Sequence, residues 1–348
     1  MDYNQQLKTI HGIMNNDIPL DEEIVNLLIK HSCLDILFHA TSNTQYIGIP
    51  IAGNSLITKM RYRTCQNLFQ ELQELQYAVI KGAVLSARMH GNSAVRLSSD
   101  IDILIAPNDI DTVKNLLLKN GFIQGRAVNG EIIPYTRQEL IYQTAFTHQV
   151  ASFCKKTGNK LCPIVNIDIN TDIFWGESSE KADIPRFLQN FESFNIYNID
   201  VKRLTPIYEF ISLCMHHYKD LNSIYLLWER GICLALFSDI YYYIKNVHLN
   251  LNELKAACES FNATDYVYFC LYHTNAIFED EKLKVCLSLF EATANTDILN
   301  RIGLSEREYK YLPKGISEYL FDESFKPMLE TLLTKEDLYK IEINKQFM

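Results

Sequence analysis

Positive charge is scarce in this chain: 33 Lys and Arg stand against 42 Asp and Glu, a formal net charge of −9 at pH 7. Binding a phosphate backbone needs a positive footprint, so this balance speaks against a nucleic-acid partner. Lys59, Arg61 and Arg63 form one small basic cluster, which on a helix reads as a solvated face. Several chemical fingerprints are also missing. There is no Gly-x-x-x-x-Gly-Lys-Ser/Thr loop, no Gly-x-Gly-x-x-Gly turn, no His-Glu-x-x-His pair and no Gly-x-Ser-x-Gly elbow. Those absences remove the P-loop, dinucleotide-fold, zinc-protease and serine-hydrolase readings. The nine cysteines are scattered singly and none forms Cys-x-x-Cys, so a zinc knuckle is not indicated. No apolar stretch is long enough to span a membrane, and the polar start, Met1 to Gln6, lacks the apolar segment of a secretory signal. The expectation is a cytoplasmic protein with reduced, mostly buried thiols and no membrane partner. Internal repeats and low-complexity segments are absent too.

What is present is an ordinary globular composition: 348 residues, 47% apolar and 22% charged, with room for two or three domains. Leu20 to His39 reads as a helix begun by Asp21 and Glu22, and Ser55 to Gln76 as a long helix with Leu68, Leu72 and Leu75 on one stripe. A less regular link containing Gly48, Pro50 and Gly53 separates them. Tyr77 to Ile80 reads as a strand, followed by a short helix to His90 and a second strand ending at Ile105. Asn108 is placed to cap a helix that Asn120-Gly121 stops, and Phe122 opens an extended piece. Ala145–Phe153 and Cys162–Ile173 read as two more strands joined by a polar hairpin loop. From Thr205, a cap followed by Pro206, the period becomes helical, with further helices over Ser223–Lys245, Leu251–Phe261 and Ala263–Phe290. The divisions expected are an N-terminal helical segment (1–76), an α+β domain (77–203) and a C-terminal helical domain (204–348).

The chemistry concentrates between Tyr77 and Ile105. Asp100 and Asp102 lie two positions apart in an apolar run, so on a strand they share a face while Ile101 and Ile103 take the other. Like charges on one face repel unless a cation sits between them, and a hard divalent ion such as Mg²⁺ takes one or two carboxylates together with substrate phosphates. Lys81-Gly82 ends the preceding strand. Glycine there admits close approach of a phosphate, and the lysine offers a point charge. Arg96 is suited either to grip a phosphate bidentately or to clamp Asp100, and Ser98 and Ser99 are acceptable phosphate donors. Ser86 and Arg88, on the following helix, are further candidates to face a nucleotide. In Val165–Asn170 the apolar residues alternate, which puts Asn166, Asp168 and Asn170 on one polar face, with Asp172 as the rival to Asp168.

Ile80-Lys81-Gly82 followed by Arg96-x-x-x-Asp100-Ile101-Asp102 resembles the nucleotidyltransferases of the polymerase-beta superfamily, and within it the bacterial branch labelled uncharacterised nucleotidyltransferase. The family pattern has Leu where Ile80 stands. The resemblance implies a nucleotidyltransferase-like mixed sheet with flanking helices. It also implies a third carboxylate on a later strand, here Asp168, then a His-bearing helix (His216, His217) and a Trp/Asp-bearing helix (Trp228, Asp239). The implied activity moves a nucleoside monophosphate from a nucleoside triphosphate to a hydroxyl-type acceptor on a small molecule, peptide or protein, releasing pyrophosphate. Mg²⁺, or alternatively Mn²⁺, would be held by Asp100, Asp102 and Asp168, and the nucleotide by Lys81, Gly82, Arg96, Ser98 and Ser99. Asp168 would also take the acceptor's proton. His148 is a further candidate to look into the cleft, and Asp239 to pair with His216 or His217. Two other readings stay open: an inactive nucleotide-binding or scaffolding relative, and a toxin-like enzyme that nucleotidylates protein or transfer RNA.

Overall fold

The computed structural model describes residues 3–15, 17–18, 21–40, 47–146, 149–176 and 178–347. Its centre is an eight-stranded mixed sheet built from β1 (Tyr77–Ile80), β2 (Ile101–Ile105), β3 (Ile123–Val128), β4 (Glu131–Pro134), β5 (Gln149–Lys156), β6 (Ile164–Asn170), β7 (Phe191–Ile196) and β8 (Ile199–Leu204). The strands run in the order β4-β3-β5-β6-β2-β1-β8-β7. The β2–β6 and β1–β8 pairings are parallel; the others are antiparallel. Every residue of β1 and β2 is buried, as befits central strands covered on both faces. Their alternation sends Val79, Ile101, Ile103 and Ile105 into one core with Ile167 and Ile169 of β6 and Leu68, Phe69 and Leu72 of the preceding helix. The architecture is α+β, as the sequence predicts, and β1 and the helix Gly82–His90 fall where the pattern puts them.

Elsewhere the boundaries move, for local reasons. The helix expected from Ser55 begins at Gly48, since Pro50 falls in a first turn where its missing N–H costs nothing, and it yields at Cys65 to a second helix, Gln66–Leu72. Leu20–His39 becomes two helices, Glu22–Lys30 and Leu34–Ala40, broken at Ser32 (φ 58°). Ser223–Lys245 breaks at Gly231 (φ 68°) and Ala263–Phe290 at Glu279 (φ 50°), because a left-handed residue ends an α-helix. Asn108 does not cap: Pro107–Asp109 form a 3₁₀ turn ahead of the helix Ile110–Lys119. The strand expected over Ala145–Phe153 starts at Gln149, and Arg137–Phe146 is a helix. The hairpins β3–β4 and β7–β8 turn on Asn129-Gly130 and Tyr197-Asn198, each pair with positive φ at both residues, the conformation of a two-residue type I′ hairpin. Gly125 is required by packing: a Cβ there would sit 2.4 Å from the Ile133 carbonyl oxygen.

The chain divides into two compact units: residues 48–212 form one, and residues 1–47 with 213–348 form the other. These units cut the chain differently from the divisions 1–76, 77–203 and 204–348, since the first holds the helices from Gly48 onward and the second joins both ends of the chain. Among the described residues no helix is long and apolar enough to cross a membrane.

The second unit buries a polar knot. His217 Nε2 lies 3.0 Å from Asp239 Oδ2, and Asp35 is buried beside Ser238 and Asp239. Burial, then the Asp239 charge, pushes the Asp35 carboxyl up to about 7. The folded chain therefore holds a proton that the unfolded chain releases above its ordinary pKa, and stability falls as pH rises from about 4 to about 7. Asp35→Asn should remove that loss. Urea unfolding of the full chain at pH 5 and pH 8 should show the variant's advantage over the parent growing by about 2–3 kcal/mol at the higher pH.

Candidate active site

The site grows from two neighbouring parallel strands. In the β2–β6 register Asp102 stands opposite Asp168, and Leu104 opposite Asn170. Because side chains alternate, Asp102, Asp168 and Asn170 all leave the sheet on the face away from Ile101, Ile103, Ile167 and Ile169. Asp100 precedes β2 by one residue and is partly exposed, while Asp102 is buried. The three carboxylates feel one another. Burial raises Asp168 most, the charges of Asp102 and Asp100 add to it, and the carboxyl reaches about 6. Asp100 is likewise raised, first by burial and then by Asp102.

Opposing that repulsion, Lys81 Nζ lies 2.7 Å from Asp102 Oδ1. The lysine reaches it through an uncommon backbone: φ 58°, ψ −159° at Lys81, followed by φ 52° at Gly82. The first of these is a conformation that glycine favours and other residues adopt at a cost of order 1–3 kcal/mol. A Cβ at Gly82 would lie 3.2 Å from Ser98 Oγ, a tight contact that the serine side chain would have to yield to. Ser98 Oγ in turn donates to the Asp100 carbonyl oxygen (2.9 Å) and to Asp100 Oδ1 (3.2 Å), and Ser99, on the surface, also bonds the Asp100 carboxylate.

The loop that carries Arg96, Ser98 and Ser99 is pinned from several sides. Asn54 Nδ2 donates to the carbonyls of Ala94 (2.7 Å) and Arg96 (3.3 Å), and Arg61 Nη1 to that of Ser98. Ser86 Oγ accepts from the Arg96 N–H at 3.0 Å and donates to the Asn92 carbonyl at 2.7 Å. Ser86 is therefore a buried strut of this loop and does not face a nucleotide. Arg88 is also diverted, held by Glu209, Glu192 and the Leu204 carbonyl. Asp172 lies beyond the end of β6, where Oδ1 accepts from the backbone N–H groups of Phe174 (3.0 Å) and Ala182 (3.3 Å), so it serves a turn while Asp168 stands beside Asp102. His217 pairs with Asp239 as expected, and His216 with Asp220 one turn on at 3.4 Å. His148 lies outside the described residues.

Sequence reasoning assigned no role to a supporting shell. Asn170 Nδ2 donates to Asp102 Oδ1 (3.2 Å), and Gln149 Nε2 to Asn170 Oδ1 (2.8 Å). Ser152 Oγ donates to Asp168 Oδ1, and the Tyr135 hydroxyl bonds Ser152. Gln149 and Ser152 are three residues apart, which a regular strand would turn to opposite faces. A register shift between Val150 and Phe153 lets both serve β6.

Among the described residues, no three His, Cys, Asp or Glu side chains are grouped so as to hold a metal ion between them. The donors do fit Mg²⁺, an ion that takes hard oxygens from one or two carboxylates and the rest from water and phosphate. Neighbouring, mutually repelling carboxylates are such donors.

The sequence model of a family described as "Uncharacterised nucleotidyltransferase" matches residues 55–279, more than half of the chain. The chain belongs to that family. The matched span takes in Lys81, Arg96, Asp100, Asp102 and Asp168, so family membership and the carboxylate cluster concern the same part of the molecule. No curated protein matches the chain. The crystal structure of an antigenic nucleotidyltransferase-like protein from Paracoccidioides brasiliensis is similar over 67% of this chain and 93% of that one, at 16% identity and a TM-score of 0.38, a likeness too slight to carry an argument.

Crowding at Asp168 has a measurable cost. Because its folded pKa is raised, its contribution to stability is fully present below about pH 4 and is lost as pH rises through about 6. Asp168→Asn keeps an acceptor for Ser152 and removes the charge. At pH 7.5 it should raise the melting temperature of this family member by about 2–4 °C, and the gain should vanish at pH 4, as followed by calorimetry at both values.

Proposed function

We propose that this family member is a Mg²⁺-dependent nucleotidyltransferase, active with Mn²⁺ as well, that transfers a nucleoside monophosphate from a nucleoside triphosphate to a hydroxyl-type acceptor. The observation that carries this reading is the register of β2 and β6, which sets Asp102 beside Asp168 with Asp100 close enough to raise it. Asp100, Asp102 and Asp168 would hold the ion, which when bound supplies countercharge to the triphosphate and to the charge that builds on the departing pyrophosphate. Lys81, the Gly82 backbone, Arg96, Ser98 and Ser99 would bind and orient the phosphate chain. The acceptor oxygen forms its bond to the α-phosphorus as the bond between that phosphorus and the β-bridging oxygen breaks, and pyrophosphate leaves with the electron pair. Asp168, at about 6, is mostly ionised at neutral pH and is basic enough to take the acceptor's proton. The net charge of −9 favours a small-molecule, peptide or protein acceptor over nucleic acid.

One observation favours a second reading, a catalytically silent nucleotide-binding or scaffolding relative. The Lys81 ammonium already pairs with Asp102, one of the three carboxylates that would hold the ion. One experiment separates the two. The protein is incubated with each α-³²P-labelled nucleoside triphosphate, Mg²⁺ and a lysate of the source cell, beside the Asp100→Asn/Asp102→Asn double variant. Transfer of label should fall at least about 100-fold in the variant. Equal labelling by both proteins removes the transferase reading, and nucleotide binding without any transfer favours the silent relative.

A further inference from the structure

Asp168 is held from behind by a chain of two hydroxyls that ends outside the carboxylate cluster. Ser152 Oγ donates to Asp168 Oδ1, and the hydroxyl of half-buried Tyr135 bonds Ser152. A hydroxyl carries one proton and two lone pairs. With the Ser152 proton spent on the carboxylate, the phenol must donate in the other bond. The chain therefore runs one way, from Tyr135 through Ser152 to Asp168. Burial holds the phenol above its ordinary range, so it keeps the proton that this direction requires. Both hydroxyls are positioned by β3. Gln124 takes the Tyr135 N–H on its carbonyl oxygen at 3.2 Å, and its Nε2 donates at 3.1 Å to the carbonyl of Ala151, the neighbour of Ser152. Just past Tyr135, Glu139 accepts from the N–H (2.7 Å) and hydroxyl (2.8 Å) of Thr136 and pairs with Arg126 of β3 at 2.6 Å. Tyr135 is thus built into a frame, whereas the charges of Asp102 and Asp100 press the Asp168 carboxylate to turn from them.

We propose that Tyr135 and Ser152 are positioning residues for the divalent ion: Ser152 holds the Asp168 carboxylate beside Asp102 by its Oδ1 edge, and Tyr135 acts through Ser152. The proposal rests on the reading of Asp100, Asp102 and Asp168 as the ion's ligands. Without the Ser152 donor the carboxylate is released to swing from its like-charged neighbours, and an arriving ion must first draw it back. Without the phenol the Ser152 hydroxyl loses the partner that directs its proton at Asp168. Hydrogen-bond partners of ligating groups are commonly worth about 10–100-fold in metal affinity, and this chain supplies such a partner from outside the cluster.

The test reads binding and needs no turnover. Mn²⁺ is titrated at pH 8 into the full chain and followed by its paramagnetic resonance signal, with and without inorganic tripolyphosphate, and variants are compared in whichever condition the parent binds. Ser152→Ala should weaken Mn²⁺ binding at least about tenfold, and Ser152→Thr, which keeps a hydroxyl, should restore it. Tyr135→Phe should weaken it about three- to tenfold. The double variant Ser152→Ala/Tyr135→Phe should bind no more weakly than Ser152→Ala alone, because the phenol then has nothing to act through. Unchanged or tighter binding by Ser152→Ala, equal losses in Ser152→Ala and Ser152→Thr, or additive losses in the double variant overturn the proposal. Asp168→Asn separates this failure from a deeper one. If the parent binds Mn²⁺ in neither condition, or Asp168→Asn binds it as the parent does, the metal site itself is lost. If Asp168→Asn weakens binding while Ser152→Ala does not, only the positioning role falls.

Discussion

The parallel pairing of β2 with β6 is the constraint on which the site depends. It places one aspartate of each strand at the same level, on the face of the sheet opposite the isoleucine core. The hydrophobic packing of Ile101, Ile103, Ile167 and Ile169 fixes which way both strands face, and so forces the carboxylates together against their mutual repulsion. The core thus bears the electrostatic cost of the site. A slip of one residue in either strand would bury an aspartate among the isoleucines, and this ties the register to both stability and chemistry.

Around that pair the molecule is built for stiffness. The turn at Lys81-Gly82 holds two consecutive residues with positive φ. The loop behind it is tied to the helix Gly48–Thr64 through Asn54 and Arg61 and to the helix Gly82–His90 through Ser86. These bonds run mostly to backbone atoms, so they fix the path of the loop and leave the side chains of Ser98 and Ser99 beside Asp100. Positioning charged groups in advance lowers what a ligand must spend on ordering them.

Much of this was legible in the residues themselves. Strict alternation in Val165–Asn170 and the spacing of Asp100 and Asp102 identify faces, and a face is what a period of two encodes. The strand–Lys-Gly–helix unit was equally plain, because its apolar run, its glycine and its helix follow without interruption. The shell was not legible. Ser152 and Gln149 serve one face only because of an irregularity in β5 that no period reveals, and Arg61 looks from sequence like one of three surface cations. Arg88 and Ser86 sit on the right helix but answer to partners distant in sequence, Glu192 and Glu209 for one and the Arg96 backbone for the other. The hairpin at Tyr197-Asn198 lacks the glycine that usually announces such a turn, whereas Asn129-Gly130 carries it and was open to recognition. Several long helical readings failed at single left-handed residues, Ser32 and Glu279 among them, where side-chain periodicity carries no signal.

The irregularity in β5 gives that strand one residue more than β6 needs opposite it. Ahead of the shift Gln149 braces Asn170; beyond it Ser152 braces Asp168 while Phe153 fills the core. Removing one residue between them would bring the two braces to a spacing of two, which a regular strand holds on one face, and would leave Val150 and Phe153 both turned to the core. The surplus residue is thus the place where β5 could shorten by one and still present the same two braces to the carboxylate face.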